Sequence, residues 1–377
     1  NANVNFDVLG PSGPSQKVIA ITDVPYAAEF DVNTLATIQE PFQWSDNVSS
    51  ITDILSPAHP QFNPQTGMSY NVITTVSGLP LMRYKFVKYN GPTRTVFGSL
   101  PAEEKPRYFH SFSLTSNYMV LIYQPYVVNM LSFMLNQPVI CSYEYSGDKQ
   151  NKFVVIDVNT GKVYAEFLSD AFAYYHTANA YEYTENNQKY IALDVVAYDN
   201  ENEWNIFAAQ YTQFYKTHNH VYEDSVNSAK LKRFTLPLPA NTSKTPITLT
   251  KDQQKTMTDA KFEMPTINPS RRTQSYTYLY GAGINSNTSS FLDNLVKVDV
   301  TSAQVVGKWT QPNLYPGEAL FVSNPNPTSE DDGVLLSIVR DVTTPDSKSF
   351  LLILDAKTLT EVARVEAPCR IPAGIHG

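Results

Sequence analysis

Val155-Ile-Asp157-Val-Asn-Thr-Gly161 reads as a β-strand that ends in aspartate, turns through a short polar segment and starts a second strand. Glu29-Phe-Asp31-Val-Asn-Thr-Leu35, Lys297-Val-Asp299-Val-Thr-Ser302 and Ile353-Leu-Asp355-Ala-Lys-Thr-Leu359 repeat the same design. Valine, isoleucine and phenylalanine favour strands, while Asn, Asp, Ser and Thr support turns by hydrogen-bonding to nearby backbone. These are four copies of one hairpin. Their aspartates stand 126, 142 and 56 residues apart. The last interval is about one β-propeller blade, since known blade repeats run to roughly 40–50 residues, and the other two are near two to three blades.

Outward from these hairpins the chain continues as strand. Short runs rich in Val, Ile, Tyr, Phe and Thr occur at 118–123, 153–158, 190–196, 275–280 and 333–339, separated by Pro, Gly, Asn and Asp. The 25 prolines leave little room for long helices. Helical turns are expected only at 250–256 and near 225–230. The expected class is therefore all-β. A propeller brings strands from different blades to one axis, so side chains distant in sequence can meet. The alternative is a large β-sandwich with similar hairpins.

At 377 residues with 42% hydrophobic content, the chain can bury a substantial core as one large all-β domain or as two ordinary domains. A net charge of -8 argues against a nucleic-acid partner, because no basic stripe exists to neutralise phosphates. Arg271-Arg272 and Lys230-Leu-Lys-Arg233 are too short to supply one. Two cysteines, Cys141 and Cys369, do not make a disulfide framework in a chain of this length. That usage fits a reducing compartment, and a cytoplasmic location with peripheral membrane contact is the expectation. Sequons at Asn47, Asn241 and Asn287 are about what an Asn-rich sequence produces by chance. The chain starts at Asn1 with no methionine and no signal-like apolar run, which leaves targeting open.

Four of the six histidines share one kind of neighbourhood. His59 in Ser-Pro-Ala-His-Pro, His110 in Arg-Tyr-Phe-His-Ser-Phe, His176 in Ala-Tyr-Tyr-His-Thr and His376 in Ala-Gly-Ile-His-Gly all lie among apolar, small or aromatic residues. His218 and His220 sit instead in a polar run that reads as a loop. Taken singly, each of the four is better explained as a hydrogen-bonded core histidine than as a ligand. As a set they suggest a metal site, because neutral imidazole is the commonest ligand for transition metals. Histidines without a cysteine or carboxylate ligand suit iron, copper or zinc alike. No Ser-His-Asp set, glycine-rich phosphate loop or Cys-x-x-Cys pair competes.

Five segments in order carry a resemblance. They are His110-Ser-Phe-Ser-Leu-Thr-Ser-Asn-Tyr118, Tyr175-His-Thr-Ala-Asn-Ala-Tyr-Glu182 and Phe262-Glu-Met-Pro-Thr-Ile-Asn268, then Glu318-Ala-Leu-Phe-Val-Ser-Asn-Pro325 with Glu330-Asp-Asp-Gly-Val-Leu-Leu-Ser337, and Leu351-Leu-Ile-Leu-Asp-Ala-Lys357 running to Ile371-Pro-Ala-Gly-Ile-His-Gly377. Spanning from about Thr22 to the last residue, they resemble the carotenoid cleavage oxygenases, the family that includes the retinal pigment epithelium retinoid isomerase and the stilbene-cleaving dioxygenases.

The resemblance implies a single seven-bladed β-propeller domain with a non-haem Fe(II) on its axis, held by His59, His110, His176 and His376. It implies carboxylates behind three of these ligands, pairing Asp23 with His110, Glu263 with His176 and Glu318 with His376. A carboxylate that accepts the far ring N–H fixes the tautomer and makes the ligand nitrogen more basic. The implied reaction cleaves a conjugated C=C bond of a carotenoid or apocarotenoid with O2, giving two carbonyl products. Stilbenoid cleavage, retinoid isomerisation and a catalytically weak carotenoid- or lipid-binding role are the alternatives on the same scaffold.

Departures from the family pattern are visible. Asp23 stands where the family usually has glutamate, Thr177 follows His176 where a second histidine is usual, and the N-terminal stretch that relatives carry before the segment at Thr22 is largely absent. In the family, the segment corresponding to Gln124-Pro-Tyr126-Val-Val-Asn-Met-Leu-Ser-Phe-Met-Leu135 flanks the tunnel mouth and dips into the membrane. Tyr126, Val127, Val128, Met130, Leu131, Phe133 and Met134 are thereby candidates for a membrane patch admitting lipophilic polyenes, with an ordinary core strand or helix as the alternative. The run is too short to span a bilayer. Phe109, Phe172, Tyr174 and Tyr175 are tunnel-lining candidates.

Overall fold

The computed structural model describes residues 5–9, 17–23, 26–43, 53–76, 82–90, 93–103, 105–129, 132, 142–199, 229–283, 292–344, 346–371 and 376. They are built almost wholly of antiparallel strands. The chain divides into two compact units, the first comprising 1–171, 186–189 and 237–249 and the second 172–185, 190–236 and 250–377.

In the first unit, Asn5–Leu9, Lys17–Ile21, Tyr26–Asp31 and Thr37–Gln43 form a four-stranded meander. A second sheet runs from Asp53–Leu55 and Gln61–Asn63 through Met68–Val76 and Met82–Asn90 to Thr93–Pro101. The third orders Ser113–Leu114, Tyr118–Tyr123, Gln150–Asp157 and Val163–Asp170, with Ile247–Thr248 added in parallel at its edge. Tyr84, Phe86, Phe112, Met119, Leu121 and Ile156, each fully buried, join the second and third sheets into one core. Two glycines allow those sheets to approach backbone to backbone, since a Cβ on Gly98 would lie 2.5 Å from the Gly161 carbonyl oxygen.

In the second unit, a seven-stranded sheet runs from Ala173–Glu185 through Gln188–Tyr198, Lys230–Pro237, Gln254–Ile267, Tyr278–Gly283 and Asn294–Asp299 to Gln304–Thr310. The last sheet orders Leu314–Pro316, Gly333–Asp341, Phe350–Asp355 and Glu361–Glu366, with Leu320–Ser323 also on Gly333–Asp341. Burial alternates along Gly333–Asp341 and Phe350–Asp355, as expected of strands with one covered face. Glu361–Glu366 is exposed throughout, and its Glu361, Arg364 and Glu366 charge the open edge.

The repeated hairpin occupies one place in four sheets. Asp31, Asp157, Asp299 and Asp355 each end the third strand of a four-strand run, and the fourth strand follows the turn. In each copy one aspartate Oδ1 accepts the backbone N–H groups two and three residues on, at 2.7–3.0 Å. The residue four positions on, which is Leu35, Gly161, Ala303 or Leu359, takes positive φ between 55° and 65°. This is a turn closed by a left-handed residue, a common hairpin connection. Such recurrence makes the arrangement propeller-like and sets it apart from the sandwich alternative.

Two local expectations are corrected. Only Lys251–Gln253 is helical in the 250–256 segment, a single 3₁₀ turn, because the alternation from Gln254 onward pairs as strand with Tyr278–Gly283 and Lys230–Pro237. The strand expected from Ser275 starts at Tyr278. Of the segment near 225–230, residues 225–228 lie outside the described residues, and Lys230 begins a strand.

Candidate metal centre

His59, His110 and His176 each lie at or beside the first strand of a sheet. His59 follows Asp53–Leu55, His110 precedes Ser113–Leu114, and His176 is the fourth residue of Ala173–Glu185. Nε2 of His59 and Nε2 of His110 face each other at 3.2 Å.

The other ring nitrogen of His110 is anchored. Tyr108 Oη lies 2.7 Å from Nδ1 of His110 and 3.0 Å from Oδ2 of Asp23, while Asp23 Oδ2 is 3.4 Å from that Nδ1. Burial works to raise the Asp23 carboxyl, but the neighbouring His110 ring and hydrogen bonds from the Ala58 N–H and the Tyr108 hydroxyl outweigh it and hold the group below the usual carboxylate range. Asp23 also ties down the loop that carries His59: its carbonyl accepts from Ser56 N at 3.1 Å, and its Oδ1 accepts from Ala58 N at 3.2 Å. Asn71 braces the same loop by donating to Ser56 Oγ and the Pro57 carbonyl.

His176 and Glu263 are both buried, and Nδ1 of His176 donates to Oε2 of Glu263 at 2.7 Å. Oε1 of Glu263 accepts from the Tyr198 hydroxyl at 2.7 Å, and Oε2 also accepts from the Met264 N–H at 3.0 Å. The pairing register slips between Glu263 and Thr266, and Met264 sits at φ 55°. A bulge of this kind re-aims a side chain out of the ladder, here the Glu263 carboxylate. Nδ1 of His376 donates to Oε2 of Glu318 at 2.9 Å, and the rings of His176 and His376 meet edge to face with centroids 5.1 Å apart.

His59 and His110 thus pair within the first unit, and His176 and His376 pair within the second. The donor set fits a metal. Carboxylates only accept hydrogen bonds, so Nδ1 of His176 and of His376 carries the proton and Nε2 keeps its lone pair. The 3.2 Å separation of the His59 and His110 nitrogens is that of neighbouring ligands, about 3 Å for imidazoles bound at about 2.1 Å and near a right angle.

Each of the seven ligand and carboxylate candidates has a hydrogen-bonding or ring partner within its own unit. Tyr108 and Tyr198 were not singled out from the sequence. Tyr108 stands two residues before His110, where extended backbone returns a side chain to the same face, and that spacing was its one signal. Tyr198 carried none.

The remaining described candidates are buried. Tyr126, Val127 and Val128 form a strand paired with Tyr143–Tyr145 and are at most 5% exposed. Met130, Leu131, Phe133 and Met134 lie outside the described residues. Phe172 stacks on Phe234, Phe109 packs on Tyr84 and Tyr123, and Tyr175 lies edge-on to Tyr198 and beside His176. Tyr174 is fully buried. Among the described residues no helix is long and apolar enough to cross a membrane.

The family model described as retinal pigment epithelial membrane protein matches residues 1–377. A torulene dioxygenase of Fusarium fujikuroi is 28% identical over 395 residues, covering 98% of this chain and 67% of the relative. A beta,beta-carotene 15,15'-dioxygenase of Homo sapiens is 25% identical over 398 residues, covering 95% and 69%. Solved structures of a Synechocystis apocarotenoid oxygenase mutant and of the cobalt-substituted enzyme superpose with TM-scores of 0.75 and 0.74 at 19% identity, over 100% of this chain and 73% of theirs.

Proposed function

The chain belongs to the retinal pigment epithelial membrane protein family, whose members similar to it include carotenoid dioxygenases, and we propose that it is an Fe(II)-dependent enzyme cleaving a conjugated C=C bond of a carotenoid or apocarotenoid. The proposed reaction adds O2 across one double bond, so that each former alkene carbon leaves as a carbonyl and both oxygen atoms enter the products. We further propose the full propeller of seven blades as a single domain around the metal.

The observation that carries this reading is two histidine pairs, His59 with His110 in the first unit and His176 with His376 in the second, in which three rings are anchored through Nδ1. Four neutral ligands leave a dication uncompensated, which favours a strongly donating ring nitrogen, and carboxylates behind the rings supply that donation. Fe(II), when bound, supplies the redox chemistry that dioxygen activation requires. His59, His110, His176 and His376 would hold it, and Asp23, Glu263 and Glu318 would fix which nitrogen each anchored ring presents. A lipophilic polyene and O2 are the proposed partners. Peripheral membrane contact, as a further proposal, rests on residues 130–135, because Tyr126, Val127 and Val128 are buried.

The test is metal content of protein purified anaerobically, with His176→Ala as control, followed by an aerobic cleavage assay on carotenoid and apocarotenoid substrates. Near-stoichiometric iron that is lost in the variant, together with paired carbonyl products, is the expected result. Iron absent from the wild-type protein, or indifferent to the substitution, would overturn the proposal. Bound pigment recovered intact after aerobic incubation would point to a carrier.

A further inference from the structure

The three anchored imidazoles are not held alike. His176 and His376 meet their glutamates directly, at 2.7 Å and 2.9 Å, whereas Oδ2 of Asp23 stands 3.4 Å from Nδ1 of His110. That distance is beyond a good N–H···O contact. The Tyr108 hydroxyl occupies the gap, 2.7 Å from the nitrogen and 3.0 Å from the carboxylate oxygen. An ionised carboxylate accepts only, so the hydroxyl hydrogen goes to Asp23, and the hydroxyl oxygen is left to accept from Nδ1–H of His110.

Resting on the metal-centre reading above, we infer that Tyr108 is the positioning residue of His110: its hydroxyl relays the Asp23 carboxylate to the imidazole and supplies the reach that a side chain one methylene shorter than glutamate lacks. The relay is held at both ends. Tyr108 is buried with its ring 4.5 Å from that of Tyr143, and its carbonyl accepts from Gln124 Nε2. Asp23 is fixed by the Ala58 N–H on its other oxygen. Chained hydrogen bonds polarise one another, so the outer carboxylate still favours the Nδ1–H tautomer and leaves Nε2 of His110 facing Nε2 of His59.

Relay and simple packing make different predictions. Tyr108→Phe keeps the ring against Tyr143 and deletes only the bridging oxygen. Adding Asp23→Glu lengthens the carboxylate by one carbon–carbon bond, about 1.5 Å, and lets it reach Nδ1 without the hydroxyl. Fe(II) affinity of the full chain, measured anaerobically by competition with a chromophoric chelator, is expected to fall about 10–100-fold in Tyr108→Phe and to recover most of that loss in the double variant. In the metal-free protein, ¹⁵N-histidine spectra should show His110 as the Nδ1–H tautomer in wild type, a tautomer mixture in Tyr108→Phe, and the wild-type pattern restored in the double variant. Wild-type affinity and an unchanged tautomer in Tyr108→Phe would sink the relay, as would a folded double variant that regains neither. A wild-type protein that binds no Fe(II) would overturn the proposed enzyme instead, and the metal-free spectra would still decide the relay.

Discussion

The Glu263 carboxylate receives the Nδ1 proton of His176 at 2.7 Å, with both side chains at most 7% exposed. Both oxygens of that carboxylate are engaged, Oε2 by His176 and the Met264 N–H and Oε1 by the Tyr198 hydroxyl. A buried carboxylate bonded through both oxygens makes a tautomer-specific anchor. It does not behave as a surface charge that happens to sit near a ring.

Replacing that carboxylate with an amide tests the anchor. In Glu263→Gln, an amide N–H directed at His176 would favour a lone pair on Nδ1 and move the proton to Nε2, the nitrogen wanted for the metal. Fe(II) affinity is expected to fall about 10–100-fold by chelator competition. Tyr198→Phe, which removes one supporting hydrogen bond to Glu263, should cost less. Equal affinity in wild type and Glu263→Gln would show that Glu263 is structural only.

The repeated turns give a stability prediction that is independent of the site. Leu35 is 76% exposed and adopts φ 56°, so Leu35→Gly should relieve left-handed strain while losing little packing, raising stability by about 0.5–1 kcal/mol. Leu359 adopts φ 55° but is 3% exposed, and Leu359→Gly should destabilise, because lost burial of about 2 kcal/mol outweighs the relief. Urea midpoints that move the same way in both variants would contradict this account.

At the equivalent position of the third sheet, space as well as backbone conformation demands glycine. Gly161 has φ 65°, and a Cβ there would stand 2.1 Å from the Phe97 carbonyl oxygen and 2.6 Å from Gly98 Cα. Backbone cannot rotate away as a side chain can. Gly161→Ala is expected to cost about 3 kcal/mol or more in chemical denaturation. A loss below about 1 kcal/mol would mean that the two sheets separate more easily than their packing implies.

The contrast among these turns shows what the sequence made legible. Asp-Val-Asn-Thr is a local signal: the aspartate caps its own turn within three residues, so four hairpins could be read from spacing alone. The histidines were legible as a set of similar neighbourhoods, and their carboxylates through the order of family motifs. The Asp23–Tyr108–His110 relay was not, because 85 residues separate Asp23 from Tyr108 and no local pattern records that approach. Tyr198 was hidden for the same reason, as an unremarkable tyrosine at the end of an apolar strand. The strand expectation at 275–280 missed its start because a run of strand formers does not say which residues find partners.

A buried ion pair in the second unit gives a pH-dependent prediction. Nζ of Lys297 lies 2.7 Å from Oδ2 of Asp331 with side-chain exposures of 2% and 5%, donates to the Lys357 carbonyl at 2.9 Å, and sits 4.1 Å from the Tyr278 ring centroid. Burial raises the Asp331 carboxyl, but hydrogen bonds from Lys297 and Ser329 and the lysine charge prevail and hold it below its ordinary value. A depressed carboxyl contributes stability above the unfolded-state value, near pH 4, and that contribution disappears as pH falls through the folded value. Asp331→Asn strands the lysine charge and should cost about 3–5 kcal/mol near neutral pH, where the aspartate is ionised. As pH falls further, through the folded value that lies below about pH 4, the wild-type carboxyl takes up a proton and loses the same partner, so the gap between the two proteins should close. Urea denaturation of both at neutral and acidic pH checks this, and a gap that stays constant across that range would show that the pair is not what stabilises this part of the fold.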